Sequence, residues 1–361
     1  MKILAIGLDR TLADPASVSA KRQIAYFRDW DCDMVVLSVG SSSISEIAPN
    51  IRVHLSGGSN KLIALMRGYK LAKNLAQQKH VQIVSGQDFL WTGLIAWRVA
   101  RDVGAKLYVQ DHSEFFVSRL KTIQERLFTP IARHIAKRAD KIRTVSHRGV
   151  MATTKLGVHP KKVIEIPIAT DVSAYAALQP AKQEAKTVLC VGRLEWQKGM
   201  DTLLIAWHKL IKIFPEARLH IVGTGKLQEA LIAQSHVLEL SDSVVFRGAL
   251  PHIRDELEWA SIVVQPSRFE GWGMAVIEAA AAAKPIVMTN VGCAGEVIIH
   301  DHSGIVIPTN NSEALAKAIG FLFQHPEVAT RLGREAQKNA LALPTPEQMT
   351  QSIRDSFESM L

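Results

Sequence analysis

The stretch PSRFEGWGMAVIEAAAAAKPIV, residues 266–287, decides how the chain folds. It follows the apolar run "SIVVQ", which Pro266 ends, and leads into a second one, "KPIVMT". Gly271 and Gly273 let the main chain turn closely, a helix starts near Gly273-Met274, and Lys284-Pro285 stops it. Strand, glycine loop, helix and strand in succession form the repeating unit of a parallel sheet. A helix that opens in such a loop offers free N–H groups and a positive dipole end to an anion. Two carboxylates flank that point: Glu270 in the loop and Glu278 more than one turn into the helix. Were both helical, their backbones would stand about 12 Å apart, whereas a glycosidase pair needs carboxyl groups roughly 5–9.5 Å apart. An acid/base pair is not excluded. Two separate grips on one ligand, either side of a diphosphate, fit better, and ordinary helix glutamates are the third reading.

Outward from this stretch the same alternation runs through the chain. "KILAIG", "DMVVLSV", "VQIVSG", "AKLYVQ" and "KIRTVS" read as strands in the first half, and "KTVLCVG", "ARLHIVG", "SVVFRG", "SIVVQPS" and "KPIVMT" in the second. Near-continuous apolar strands separated by helical patterns mean parallel sheets covered on both faces. The expectation is α/β: two Rossmann-like, doubly wound domains facing each other across a cleft. Residues 1–170 form the first, 171–186 a linker, 187–343 the second, and 344–361 a closing helix that could return to the first. Ligands in such sheets bind beyond the carboxyl ends of the strands.

With 361 residues, 47% hydrophobic and 21% charged, the chain is globular, without disordered or collagen-like bias. No run of 18 apolar residues exists to span a membrane, and the opening "MKILAIGLDR" reads as a first strand and not as a signal peptide. Cys32, Cys190 and Cys293 share no metal or disulfide spacing, as in a reduced cytoplasmic protein. The net charge of +9 is uneven, since residues 1–175 hold 26 Lys and Arg against 14 Asp and Glu. Its densest part, 119–143, carries eight cations and two acids. That is either a solvated helix face or a surface for an anionic acceptor or anionic lipid. No aromatic ladder or known motif supports a nucleic-acid partner.

Several suggestive motifs fail on their chemistry. "GLDRTLAD" has the outline of a dehalogenase-type phosphatase loop, but Gly7 stands where the nucleophilic aspartate would be. "DWDCD" (29–33) has a metal-binding DxD pattern, yet it precedes a strand, at the wrong end of a sheet, and reads as a solvated turn. "VGTGK" (222–226) lacks the first glycine of a P-loop, and Leu227 replaces its magnesium-binding hydroxyl. Thirteen histidines show no paired ligand spacing, so no metal is expected.

The strand ends of the second half agree with one another. "VGRLEWQKG" places Arg193 and Lys198 five apart between Gly192 and Gly199, a planar fork and a point charge suited to phosphate. "IVGTG" and "VFRG", the latter carrying Arg247, are further glycine turns after strands. With "PSRFEGWGMAVIEAAAAAKPIV" and "SGIVIP", these motifs make residues 187–308 resemble the donor domain of family 4 glycosyltransferases, retaining enzymes of the GT-B fold. The two glutamates match the family's E-x7-E element.

The resemblance implies roles. Arg193 and Lys198 would bind the donor's diphosphate and stabilise the departing nucleotide, Glu278 would hold the nucleotide ribose, and Glu270 would face the transferred sugar. The backbone of Gly271, Gly273, Met274 and Ala275 would meet phosphate or sugar oxygens, and the backbone around Arg247 would border the base. Two cations and a helix terminus can neutralise a diphosphate without a metal, and no cofactor is implied. Residues 84–116 resemble the acceptor domain more loosely, with His112 reaching the sugar and Asp88 on the acceptor side. The chain departs from the family pattern in three places: only Gly7 stands in the first loop, Gly292-Cys293 replaces a glycine pair, and "IPIATDVSAY" replaces a Pro-Asn-Gly turn.

The expected function is a metal-independent hexosyltransferase moving a sugar from a nucleotide-diphosphate-sugar to a hydroxyl, as in cell-surface polysaccharide or glycolipid synthesis. It would be cytoplasmic, peripheral on the inner face of the membrane, with a glycan or lipid-linked acceptor. The rivals are a nucleotide-sugar epimerase of the same architecture and a non-catalytic nucleotide-sugar-binding subunit.

Overall fold

The computed structural model describes residues 1–112, 115–117, 123–178 and 185–361, with residues 123–125 as backbone only. Arg119 and Lys121 of the basic stretch, Ser113 and Glu114 of the acceptor-side motif, and 179–184 of the expected linker lie outside the described residues. Among the described residues no helix is long and apolar enough to cross a membrane.

Two compact units result: Met1–Pro167 with Glu347–Leu361, and Ile168–Pro346. The first holds β1 (Lys2–Gly7), β2 (Asp31–Val36), β3 (Ser43–Ala48), β4 (Ile51–Leu55), β5 (Ile83–Gly86), β6 (Lys106–Asp111), β7 (Lys141–Thr144) and β8 (Val163–Glu165). They order as β3-β4-β2-β1-β5-β6-β7-β8, parallel except for the edge strand β3, which runs antiparallel to β4. The apolar runs are buried on both faces, from Leu4 and Ile6 through Val35 and Val84 to Ile142. The order reverses between β1 and β5, where doubly wound sheets hold their ligands.

The closing helix Pro346–Glu358 completes this first unit. Phe357 stacks on Tyr108 at 4.3 Å between ring centroids and meets Phe27 edge-on at 5.6 Å. Arg354 donates to the Tyr26 carbonyl at 3.1 Å and to Asp29 at 2.8 Å, and lies over the Trp30 ring. One helix face thus supplies an aromatic plug and a cation anchored at its rim.

The second unit holds β9 (Thr187–Val191), β10 (Arg218–Val222), β11 (Val244–Gly248), β12 (Ile262–Gln265), β13 (Ile286–Thr289) and β14 (Ile305–Ile307), all parallel in the order β11-β10-β9-β12-β13-β14. Its core gathers Val188, Leu203, Trp207, Leu219, Ile262 and Ile319, and the Trp207 indole donates to Ser243 at 3.1 Å. The chain steps outward from β9 to β11 and then crosses back to lay β12 on the other side of β9. That switch brings the loops after β9 and β12 side by side.

Two details differ from the sequence reading. Residues 173–176 form a short helix, and Ala176 accepts from Gln337 at 3.5 Å, so the start of the expected linker packs within the second unit. The DWDCD segment is a solvated turn only at its start, where Asp29 is exposed. Asp31 to Asp33 open β2, and Asp33 is buried against His54, Arg52 and Lys79.

Candidate active site

The loop after β9 begins at Gly192 and tightens into a 3-10 turn, Trp196–Lys198, before the helix Met200–Leu210. Gly199 closes the turn at φ +67°, and a Cβ there would stand 2.2 Å from the Pro266 carbonyl oxygen. Only glycine lets this loop touch the one after β12. Arg268 then ties the two together. Its guanidinium forks onto Asp201 at 2.9 and 2.7 Å, donates to the Trp196 carbonyl and lies 4.8 Å over the Trp196 ring.

Within this frame Lys198 Nζ donates to Glu270 Oε2 at 2.6 Å. The side chains are only 13% and 16% exposed. The same carboxylate oxygen accepts from Gln265 Nε2 and Ser267 Oγ, each at 3.2 Å. Glu270 Oε2 is therefore saturated, while Oε1 has no partner among the described residues. Arg193, five residues before Lys198, is exposed and pairs with no carboxylate among the described residues.

The helix Met274–Ala281 starts at Gly273 with no side-chain cap. Its earliest bonds run from Val276 and Ile277 back to the Gly273 carbonyl, so the N–H groups of Met274 and Ala275 are available. The Gly271-Trp272-Gly273 turn is braced from behind: Cys293 N–H donates to the Trp272 carbonyl at 2.9 Å, and Gly292 holds φ +56°, where a Cβ would meet that carbonyl at 2.6 Å. Gly292-Cys293 thus supports the loop although a second glycine is missing. Glu278 lies half-buried beyond the first turn, and burial pushes its carboxyl up to about 7. The Tyr175 phenol, raised first by burial and then by the charge of Glu278, is close by.

Arg247 is placed differently from these. On β11, the sheet edge, its guanidinium is held by buried Glu256 at 2.6 Å. Glu256 also meets His220 at 2.6 Å, and His220 stacks on Trp259 with centroids 3.6 Å apart.

Asp88 and His112 follow adjacent strands, β5 and β6, of the first unit. Asp88 Oδ1 accepts from Leu90 N–H at 2.6 Å and Thr92 N–H at 3.2 Å, capping the helix Trp91–Val103. Burial raises its carboxyl despite these bonds. His112 is half-buried, and burial, with the charges of Arg143 and Arg22, holds its imidazole down to about 3, so the ring is neutral. Arg143, which the sequence reading missed, is buried at the end of β7 and donates to Gln110 at 3.1 Å and to the carbonyls of Ile166 and Pro167. Gln265, Ser267 and Arg268 were likewise missed, although Ser267 and Arg268 stand in the stretch that decided the fold.

Among the described residues no group of three or more His, Cys, Asp or Glu could hold a metal ion. What the second unit offers is a candidate anion cradle: two cations, uncapped helix N–H groups, and two carboxylates with free acceptor capacity among the described residues.

Comparison with known proteins places this geometry. A whole-chain likeness joins the protein to sucrose-phosphate synthase from Thermosynechococcus elongatus, with TM-score 0.82, 20% identity, and 100% of this chain and 99% of that one covered. HepE of Anabaena, solved with UDP-glucose, gives TM-score 0.79 at 17% identity over 99% of this chain and all of that one. The fold is therefore GT-B. In sequence, an uncharacterized glycosyltransferase of Haemophilus influenzae is 35% identical over 158 residues, 44% of this chain and 45% of that protein. The lipopolysaccharide core mannosyltransferase LpcC of Rhizobium leguminosarum is 28% identical over 181 residues, 48% and 50%. The chain spans about half the length of the curated relatives it matches. The family described as glycosyl transferases group 1 matches residues 175–339, the segment that carries the cradle. That segment of the chain is therefore similar to the glycosyl transferases group 1 family.

Proposed function

We propose that the chain is a retaining, family 4 type glycosyltransferase that moves a sugar from a nucleoside-diphosphate-sugar to a hydroxyl acceptor. The observation that carries this reading is the Lys198–Glu270 pair, with Arg193, unpaired among the described residues, in the loop of Lys198, and the uncapped helix at Gly273 in the loop of Glu270. Lys198 and Arg193 take the diphosphate, with the N–H groups of Gly273, Met274 and Ala275, and Gly192 and Gly271 keep side chains out of the way. Glu270 Oε1 accepts from a hydroxyl of the transferred sugar, and Glu278 accepts from the ribose. The backbone around Arg247 borders the base. Neutral His112 and Asp88, at the ends of β6 and β5 in the first unit, serve the acceptor side, where Asp88 fixes its loop.

In the reaction the bond between the anomeric carbon and the leaving phosphate oxygen breaks as the acceptor oxygen bonds to the same face. The acceptor proton passes to the departing phosphate. Preorganised cations stabilise the charge that grows on that phosphate, the kind of term that dominates enzymatic rate enhancement. A glycosyl-enzyme adduct trapped on Glu270 would sink the front-face route. The cationic excess of residues 1–175 supports an acceptor presented at an anionic membrane surface, as a lipid-linked glycan on the cytoplasmic face. Cosedimentation with liposomes independent of anionic lipid would remove that part.

The test is thermal unfolding against UDP, GDP, ADP, CMP and dTDP, with Glu278→Ala as control. A nucleotide at 100 times its Kd stabilises by about 2.7 kcal/mol, several degrees in domains of this size. One nucleotide should raise Tm in the wild type and not in the variant. Product formation with that nucleotide's sugar only when an acceptor is present separates transfer from epimerisation, and silence from all five nucleotides overturns the reading.

A further inference from the structure

We propose a second anion-binding site, distinct from the cradle above, in the first unit between the β3–β4 hairpin and the helix Lys61–Lys79. Its ligand is a phosphate group, either on a soluble compound or on a lipid headgroup. The inference does not rest on the transferase reading.

A cavity of ≈ 620 Å³ lies here, lined among others by Ser42, His54, Ser56, Arg67, Lys70 and Asn74. The helix wall is entirely cationic in its charges: Lys61–Lys79 carries five Lys and Arg and no Asp or Glu. Lys73 is held by Asp102 at 3.0 Å and Lys79 by Asp33. Arg67 and Lys70, three residues apart and so on one face of the helix, pair with no acid among the described residues. Both are exposed. The one carboxylate of the hairpin, Glu46, stands opposite Arg52 in the register and does not line the cavity.

The floor is built differently from a surface patch. His54 is buried on β4, and its Nε2 lies 2.7 Å from Asp33 Oδ1. Burial pushes the Asp33 carboxyl up, but hydrogen bonds from His54 and Lys79 and the charge of Arg52 outweigh it and hold the group at about 2. Asp33 is therefore an acceptor only, and Nε2 must donate to it. That leaves Nδ1, which is buried without any hydrogen-bond partner among the described residues. A buried polar atom without a partner is uncommon in a folded protein and points to a group the chain itself does not supply. His54 lines the cavity together with Ser42 and Ser56, and an imidazolium there would offer its Nδ1–H to an anion. A guanidinium fork, an ammonium, hydroxyls and an amide around one cavity are the donor set for phosphate oxygens.

The test uses full-length protein carrying Arg193→Gln and Lys198→Gln, so that binding at the donor-side cations cannot contribute. Inorganic phosphate and pyrophosphate are titrated by calorimetry into this protein, into one also carrying Arg67→Gln/Lys70→Gln, and into one carrying Lys21→Gln/Lys61→Gln, which removes the same charge outside the cavity. All four positions are solvent-exposed, so the fold should persist, and circular dichroism checks it. The same three proteins are sedimented with phosphatidylglycerol vesicles and with phosphatidylcholine vesicles. A tenfold or greater loss of pyrophosphate affinity confined to Arg67→Gln/Lys70→Gln, with a wild-type-like control, establishes a site for soluble phosphate. Vesicle binding that needs phosphatidylglycerol and is lost in that variant alone identifies the phosphate as a lipid headgroup. Equal losses in both charge variants, or no dependence on Arg67 and Lys70 in either arm, overturn the proposal.

Discussion

Replacing Lys198 by glutamine tests the cradle at its centre. The wild-type ammonium lies 2.6 Å from Glu270 Oε2 in a pair whose side chains are 13% and 16% exposed. Breaking a fully buried pair costs roughly 3–5 kcal/mol because a charge is left alone. Here Gln265 and Ser267 still donate to Glu270, the site is partly wet, and the new amide can reach the same oxygen. The folding penalty should therefore fall to about 1 kcal/mol, a few degrees in Tm for a domain of this size. Catalysis should suffer more. Removing one preorganised group from developing negative charge costs about 10²–10³ in kcat, and that loss should appear in kcat with a smaller change in KM. Steady-state kinetics on Lys198→Gln, beside Lys198→Gln/Glu270→Gln, separates the two effects. The double variant no longer leaves a carboxylate unpaired, so its stability should recover while kcat stays low. Retention of kcat within threefold in the single variant, or recovery of activity together with stability in the double, would refute the assignment of Lys198 to the leaving phosphate.

Three further outcomes follow from the geometry. Glu278 is raised from 4.5 to about 7 by burial, so the folded state holds its proton between those values while the unfolded chain releases it. Stability should fall as pH rises through this window, by up to about 3 kcal/mol at about 1.4 kcal/mol per pH unit; Glu278→Gln should flatten that slope in urea titrations, and nucleotide affinity should rise above pH ~7 only in the wild type. Gly199→Ala places a Cβ 2.2 Å from the Pro266 carbonyl at φ +67°, so it should destabilise by more than about 1 kcal/mol and weaken nucleotide binding in calorimetry. Phe357→Ala removes the ring stacked on Tyr108 and should cost about 3–5 kcal/mol, with hydrogen exchange in Pro346–Glu358 accelerating well before exchange in β9 or β12.

What was legible in the sequence, and what was not, divides by the range of the physics involved. Most apolar runs expected as strands are strands because burial on two faces demands unbroken hydrophobicity, a condition met within five residues, although β11, at a sheet edge, is largely exposed. β3 escaped notice for the converse reason: as an edge strand it is mostly exposed, and "SISEIA" carries no such run. Asp33 looked like a solvated turn because its three partners, Arg52, His54 and Lys79, come from β4 and a helix 19 to 46 residues away. The same limit applies at the cradle. Gly199 and Gly273 mark local turns, and a reader of the chain can find both. That Lys198 meets Glu270, 72 residues on, depends on β12 crossing β9 to pair on its far side, and strand order leaves no mark on local composition. Arg268 shows the consequence: its partners Asp201 and Trp196 sit in the other loop, so its role exists only once the crossover has formed. Spacing therefore identifies loops fit to hold an anion, but only the sheet topology makes two of them into one site.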